Sequence, residues 1–158
     1  MPPLHRVQAT LRGVEIMTSE GAARADVVWP PAAGQPAQDP AFLLVLTHGS
    51  GGGLASADLL AVRDAALPLR AAVALVTQPY RVKGRRAPGS PERQDAAWIQ
   101  IIDALRPATG PGLPLVQGGR SNGARVACRT AAATGATAVL ALAFPLHPAR
   151  APGEVAGG

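Results

Sequence analysis

Apolar residues follow three different patterns along this chain of 158 residues. Over 6–17 and 25–29 they recur at about every second position, with "SEGAA" between, which predicts a β-hairpin. The stretch "PPAAGQPAQDP" (30–40) breaks the pattern and reads as a loop. Beyond it come short unbroken apolar runs bounded by turn residues: "FLLVLT" (42–47), "AAVALVT" (71–77), "LPLVQ" (113–117) and "TAVLALAFP" (137–145). Such runs suit strands covered on both faces. The third pattern is helical and separates these strands. Leu59, Leu60, Val62 and Ala66 lie near helical spacing, with Ser56 or Asp58 available as a cap. Residues 91–105 place Trp98, Ile101, Ile102 and Leu105 on one face behind Pro91. "SNGARVACRTAAA" (121–133) supplies the third helix.

Four apolar strands alternating with three helices predict an α/β fold around a parallel sheet with right-handed crossovers. The length suits one domain, and no repeat or long linker divides it. A hydrophobic fraction of 47% with 16% charged residues excludes a disordered chain, while 18 glycines and 16 prolines promise many turns. No apolar run reaches the roughly 18 residues of a spanning helix, and the opening residues contain no leader-like apolar core. A cytoplasmic protein without membrane partners is therefore expected. Cys128 is the only cysteine, which precludes an internal disulfide, and its place among helical alanines predicts a core position.

The net charge of +5 is almost wholly arginine, with Lys83 the sole lysine. Arginine-rich composition raises the charge without an acidic partner, and Tyr80 stands alone where nucleic-acid binding would need an aromatic platform. No nucleic-acid partner is expected. The basic segment "RVKGRRAPGSPER" (81–93) reads first as a solvated loop; its functional alternative is an anion-recognition lip beside a pocket.

In a parallel α/β sheet the chemistry gathers beyond the carboxyl ends of the strands, here after Thr47, Thr77, Gln117 and Phe144. Two of these turns are unusual. "HGSGGG" (48–53) follows a buried strand and precedes a helix, so its backbone amides can face an anion. No Gly-Lys-Ser/Thr follows, which excludes a Walker loop, and the dinucleotide fingerprint fails at Leu54. The next strand ends in Thr77-Gln78 rather than an acid; an NADP-dependent reductase using Arg81, Lys83, Arg85 or Arg86 is the remaining nucleotide alternative. The second turn is "GGRSNG" (118–123), where Gly119-Arg120-Ser121-Asn122-Gly123 has the G-x-S-x-G form between a strand and a helix. That is the pattern of a nucleophile elbow, with Ser121 on a sharp turn above the sheet. The two turns complement each other: Asn122 and either Ser50 or Gly51 are the expected oxyanion donors.

"LTHGSGGG", "QPYRVKGRRAP", "GGRSNGARVA" and "FPLHP" together resemble the small α/β-hydrolase-like family that includes dienelactone-hydrolase-type and testis-expressed-protein-type domains. The likeness runs from about Phe42 to Pro148. It implies a three-layer, mostly parallel sheet of eight strands, Ser121 as nucleophile, an oxyanion hole near Ser50, and hydrolysis of a small ester or carbonyl substrate without metal or cofactor. A complete member would continue to strands bearing a catalytic Asp and His, whereas this chain runs into "ARAPGEVAGG". The expectation is a partial domain over 1–148, lacking the last strands, and a flexible tail over 149–158. After Ser121 the only histidine is His147 and the only acid Glu154, in the reverse of the family's order. His147 is the one candidate base, and a pocket or structural role suits it better; His48 is expected to brace the glycine turn, and His5 carries no signal. Weak or absent activity follows, with a non-catalytic interaction module as the rival. An exposed apolar sheet edge predicts self-association or a partner there.

Overall fold

The structure is a computed structural model that describes residues 10–30 and 38–147. Its six-stranded sheet has the order β1-β2-β4-β3-β5-β6. The strands are β1 (Thr10–Thr18), β2 (Gly21–Val28), β3 (Phe42–Thr47), β4 (Ala71–Thr77), β5 (Leu115–Arg120) and β6 (Ala138–Leu142). β1 and β2 form an antiparallel hairpin joined antiparallel to β4, and the other neighbours are parallel. The helices are α1 (Ala57–Ala66), the single turn α2 (Pro79–Val82), α3 (Pro91–Thr109) and α4 (Asn122–Thr134). None of the described helices is long and apolar enough to cross a membrane.

Alternation along the central strands divides the core into two layers. Leu43, Val45, Ala72, Ala74 and Val76 pack with Trp98, Ile101, Ile102 and Leu105 of α3 and Val126 of α4. Leu44, Leu46, Ala71, Val73 and Leu75 face the other way, onto Leu59 and Ala66 of α1. The runs of β3 and β4 thus serve both faces of a three-layer arrangement, whereas β6, expected to be covered on both faces, lies at the sheet edge and has no buried residue.

Several boundaries differ from the expected ones. The hairpin turn is Ser19-Glu20 alone, because Gly21 adopts a φ of +103° and starts β2 four residues early. Register shifts between Leu11 and Val14, where Gly13 (φ +64°) donates its amide to Asp26 Oδ1 at 2.7 Å. α1 passes into a 3-10 turn over Leu67–Leu69 that contains Pro68. α3 runs on past residue 105 through Pro107, which has no amide to donate to the Asp103 carbonyl. Cys128 is exposed, not core. It lies about 100° around the helix from buried Ala127, on a flank of α4 turned away from the sheet. His5, Glu154 and the expected tail over 149–158 fall outside the described residues.

Candidate active site

Ser121 is held where β5 gives way to α4. Its φ of 54° and ψ of −111° form a conformation that side-chain-bearing residues avoid, stored at a cost of about 1–3 kcal/mol. The surroundings over-determine it. The Ser121 amide donates to the Leu142 carbonyl at 2.9 Å, and the Ser121 carbonyl accepts the Arg125 amide at 3.1 Å. On either side, glycines remove every atom that would resist the turn. A Cβ on Gly119 would come within 2.7 Å of the Thr47 carbonyl, and one on Gly123 within 2.6 Å of the His48 carbonyl. Gly118 has no room for a side chain against Leu140. Glycine spacing here is a packing requirement between β3, β5 and the start of α4.

The same contacts bring the first glycine turn to the serine. A Cβ built on Gly49 would lie 3.2 Å from the Arg120 carbonyl and 3.3 Å from Ser121 Cβ. The backbone of the 48–53 turn therefore abuts the elbow, as the pairing of the two motifs predicts. Asn122 is the first residue of α4, where helix geometry leaves the amides without intrahelical acceptors. Arg120, immediately before the serine, donates from Nε to Asp58 Oδ2 of α1 at 2.9 Å.

His48 braces the turn from below. Its Nε2 accepts the Gln78 amide at 3.0 Å, which leaves the proton on Nδ1 to donate to the Gly49 carbonyl at 2.9 Å. The ring is buried and meets Tyr80 edge-on, with centroids 5.6 Å apart. Burial lowers the His48 pKa and the Arg81 charge lowers it further, against the Gly49 carbonyl, so the ring is neutral at physiological pH. Burial also raises the Tyr80 phenol above its ordinary value, outweighing the Ser50 hydroxyl beside it.

Three glutamines, none of them among the expected site residues, knit the site together. Gln94 Nε2 donates to Asn122 Oδ1 at 2.6 Å and to Gln78 Oε1 at 2.8 Å. Gln78 Nε2 donates to Thr47 Oγ1 at 3.2 Å, and Thr47 Oγ1 in turn donates to the Val76 carbonyl at 2.8 Å. Arg129 Nη2 adds a bond to Gln94 Oε1 while its guanidinium grips Asp95. Gln117, inside β5, joins Trp98, Ala127, Thr130 and Thr134. All three glutamines are almost fully buried, and each is satisfied through both ends of its amide.

Ser121, Asn122 and the turn that holds Ser50 and Gly51 are thus brought together. His147 is exposed beyond β6. Among the described residues, no histidine or carboxylate hydrogen-bonds to the Ser121 hydroxyl.

An alpha/beta hydrolase domain family model matches residues 40–157. No curated protein matches the chain. Among solved structures, a lidless α/β serine hydrolase from Xanthomonas campestris superposes with a TM-score of 0.72 at 17% identity, covering 92% of this chain and 65% of its own. An α/β serine hydrolase homologue from Coxiella burnetii gives 0.74 at 12%, covering 90% and 66%. Dienelactone hydrolase from Anabaena variabilis gives 0.63 at 19%, covering 85% and 63%. The chain therefore spans just under two thirds of the length of each of these proteins. At such identities the likeness is one of fold, and it agrees with the strand order; with the family match spanning most of its residues, the chain belongs to the alpha/beta hydrolase domain family.

Proposed function

We propose that this chain carries the nucleophile and oxyanion half of a serine hydrolase, esterase-like and acting on a small ester or carbonyl substrate. The observation that carries this reading is the backbone of Ser121 at φ 54°, ψ −111°, between two glycines that can bear no side chain. Backbone strain of this kind is kept where presentation of a side chain needs it. Ser121 Oγ attacks the substrate carbonyl carbon, and the carbonyl oxygen gathers negative charge as the C–O bond to Ser121 forms. The Asn122 amide, at the positive end of α4, and the Ser50 or Gly51 amide receive that charge. The ester C–O bond then breaks, the leaving alkoxide takes up the proton given up by the Ser121 hydroxyl, and water attacks the acyl carbon, releasing the acid and returning a proton to Ser121 Oγ.

Proton transfer is the weak step in this reading. A serine without its base retains on the order of 10³–10⁴-fold acceleration over water from the oxyanion hole and binding. Low turnover is the expected behaviour of the chain by itself, with His147 in a pocket or structural role. That no histidine or carboxylate among the described residues hydrogen-bonds to the Ser121 hydroxyl also favours a second reading, a non-catalytic relative that keeps the elbow.

A fluorophosphonate probe separates the two. Attack by Ser121 Oγ forms an O–P bond as the P–F bond breaks, and the hydroxyl proton leaves with fluoride, so the protein gains the probe's mass less HF. An adduct found by intact mass in the parent protein and lost in Ser121→Ala supports the hydrolase reading. No adduct on folded protein overturns it in favour of the non-catalytic relative.

A further inference from the structure

A cavity of 580 Å³ opens between the hairpin turn, α2 and the start of α3. Four cations, Lys83, Arg85, Arg86 and Arg93, line it with a single carboxylate, Glu20. Its floor is made of Gln78 and Gln94, the residues whose amides run on to Asn122. One wall is Tyr80, the ring that meets His48. The cavity and the nucleophile turn therefore share their supporting residues.

The four cations divide into two pairs. The hairpin turn engages the first pair. Lys83 Nζ donates to the Glu20 carbonyl at 2.5 Å, and Arg93 Nε donates to Glu20 Oε1 at 2.9 Å. Ser19 is tied to Gln100 of α3 at 2.7 Å, so the turn is fixed against α3. Arg85 and Arg86 form the second pair, and neither guanidinium has a hydrogen bond or ion pair among the described residues. Their backbone is nonetheless set: Gly84 turns at a φ of +76°, and the Arg85 amide closes onto the Tyr80 carbonyl at 2.9 Å. Both line the cavity and are exposed, and the donor fork of a guanidinium matches the paired oxygens of a carboxylate or phosphate.

We propose that this cavity is an oxyanion-recognition subsite, in which Arg85 and Arg86 hold the carboxylate or phosphate end of a small substrate whose carbonyl reaches Ser121. The identity of the reacting group rests on the hydrolase reading above, whereas the anion site does not. The cavity volume falls in the range of small-molecule sites. The basic segment of the sequence is then a recognition lip, and the solvated-loop reading is the alternative that the test addresses.

Inorganic phosphate, methyl phosphate and succinate are titrated at constant ionic strength, with sodium chloride making up the balance, and read by calorimetry and thermal shift. Saturable binding of at least one, weakened tenfold or more in the Arg85→Gln/Arg86→Gln double variant and unchanged in Ser121→Ala, is the expected result. The comparison of succinate with the two phosphates identifies the preferred head group. Absence of saturable binding, or binding undiminished in the double variant, overturns the subsite. Fluorophosphonate labelling of the parent and of Ser121→Ala is read in parallel, so that the anion site and the nucleophile are scored separately. Failure of the subsite with labelling intact, or of labelling with binding intact, shows which of the two readings has fallen.

Discussion

The Nε2 atom of His48 accepts the backbone amide of Gln78 at 3.0 Å, joining the end of β3 to the end of β4 directly beneath the glycine turn. Only a neutral ring can accept that bond. Burial holds the folded-state pKa below that of the unfolded chain, so the unfolded state binds a proton first as pH falls. The contribution of His48 is complete above about pH 6.5 and declines from there towards the lower folded value, by at most about 1.4 kcal/mol per pH unit. Chemical denaturation across this window should show a steeper acid loss in the parent than in His48→Gln, which cannot titrate. Parallel slopes would place the acid sensitivity elsewhere.

Gly123 and Gly51 should respond unequally to the same substitution. A Cβ on Gly123 meets the His48 carbonyl at 2.6 Å and the Thr47 carbonyl at 2.8 Å, so Gly123→Ala must displace α4 or β3, costing about 1–3 kcal/mol. A Cβ on Gly51 meets nothing within 4 Å, and the substitution keeps the amide that the oxyanion hole would use. Gly51→Ala should stay within about 0.5 kcal/mol of the parent. Thermal midpoints of the pair, measured beside their labelling rates, test whether the glycine spacing is a packing requirement. Equal behaviour of the two variants would deny it.

This contrast also shows why some of the site was legible and some was not. The apolar runs and the two glycine turns were readable because each has a local cause: strands covered on both faces need unbroken apolar runs, and close backbone approach needs glycine. Gln94 was harder, since it sits four residues before Trp98 on the apolar face of α3, where a polar residue signals a buried network but not its partners. Gln78 and Asn122 join it only through tertiary contact. Cys128 failed as a core residue because its helical spacing from Ala124 says which side of α4 it occupies, not whether anything covers that side. The hairpin began early because "GAARA" hides a strand behind alanines, two of which, Ala23 and Ala25, are fully buried.

Gln94→Ala should weaken both stability and the presentation of Ser121. The substitution removes the donor to Asn122 Oδ1 and Gln78 Oε1, and also an acceptor for Arg129, leaving polar atoms inside the protein unpaired. The expected loss is about 1–3 kcal/mol in denaturation free energy. Because Asn122 loses a side-chain anchor, labelling of Ser121 should slow in protein that is still folded. Unchanged labelling with reduced stability would make Gln94 a structural residue alone.

Ser121 itself gives the most direct test of stored strain. Ser121→Ala and Ser121→Gly both delete the hydroxyl, so both should abolish probe labelling, and they differ in whether a Cβ remains at φ 54°, ψ −111°. The glycine variant relieves the backbone conflict, while its greater freedom in the unfolded chain offsets part of the gain, by roughly 0.4–1 kcal/mol. A net advantage of about 1 kcal/mol for Ser121→Gly over Ser121→Ala is expected in denaturant midpoints measured at equal slope. That result would show that the fold sacrifices stability to hold a side chain at this turn, as a nucleophile requires and a plain connecting loop does not. An alanine variant as stable as the glycine variant would remove the strain, and with it the observation on which the hydrolase reading chiefly rests.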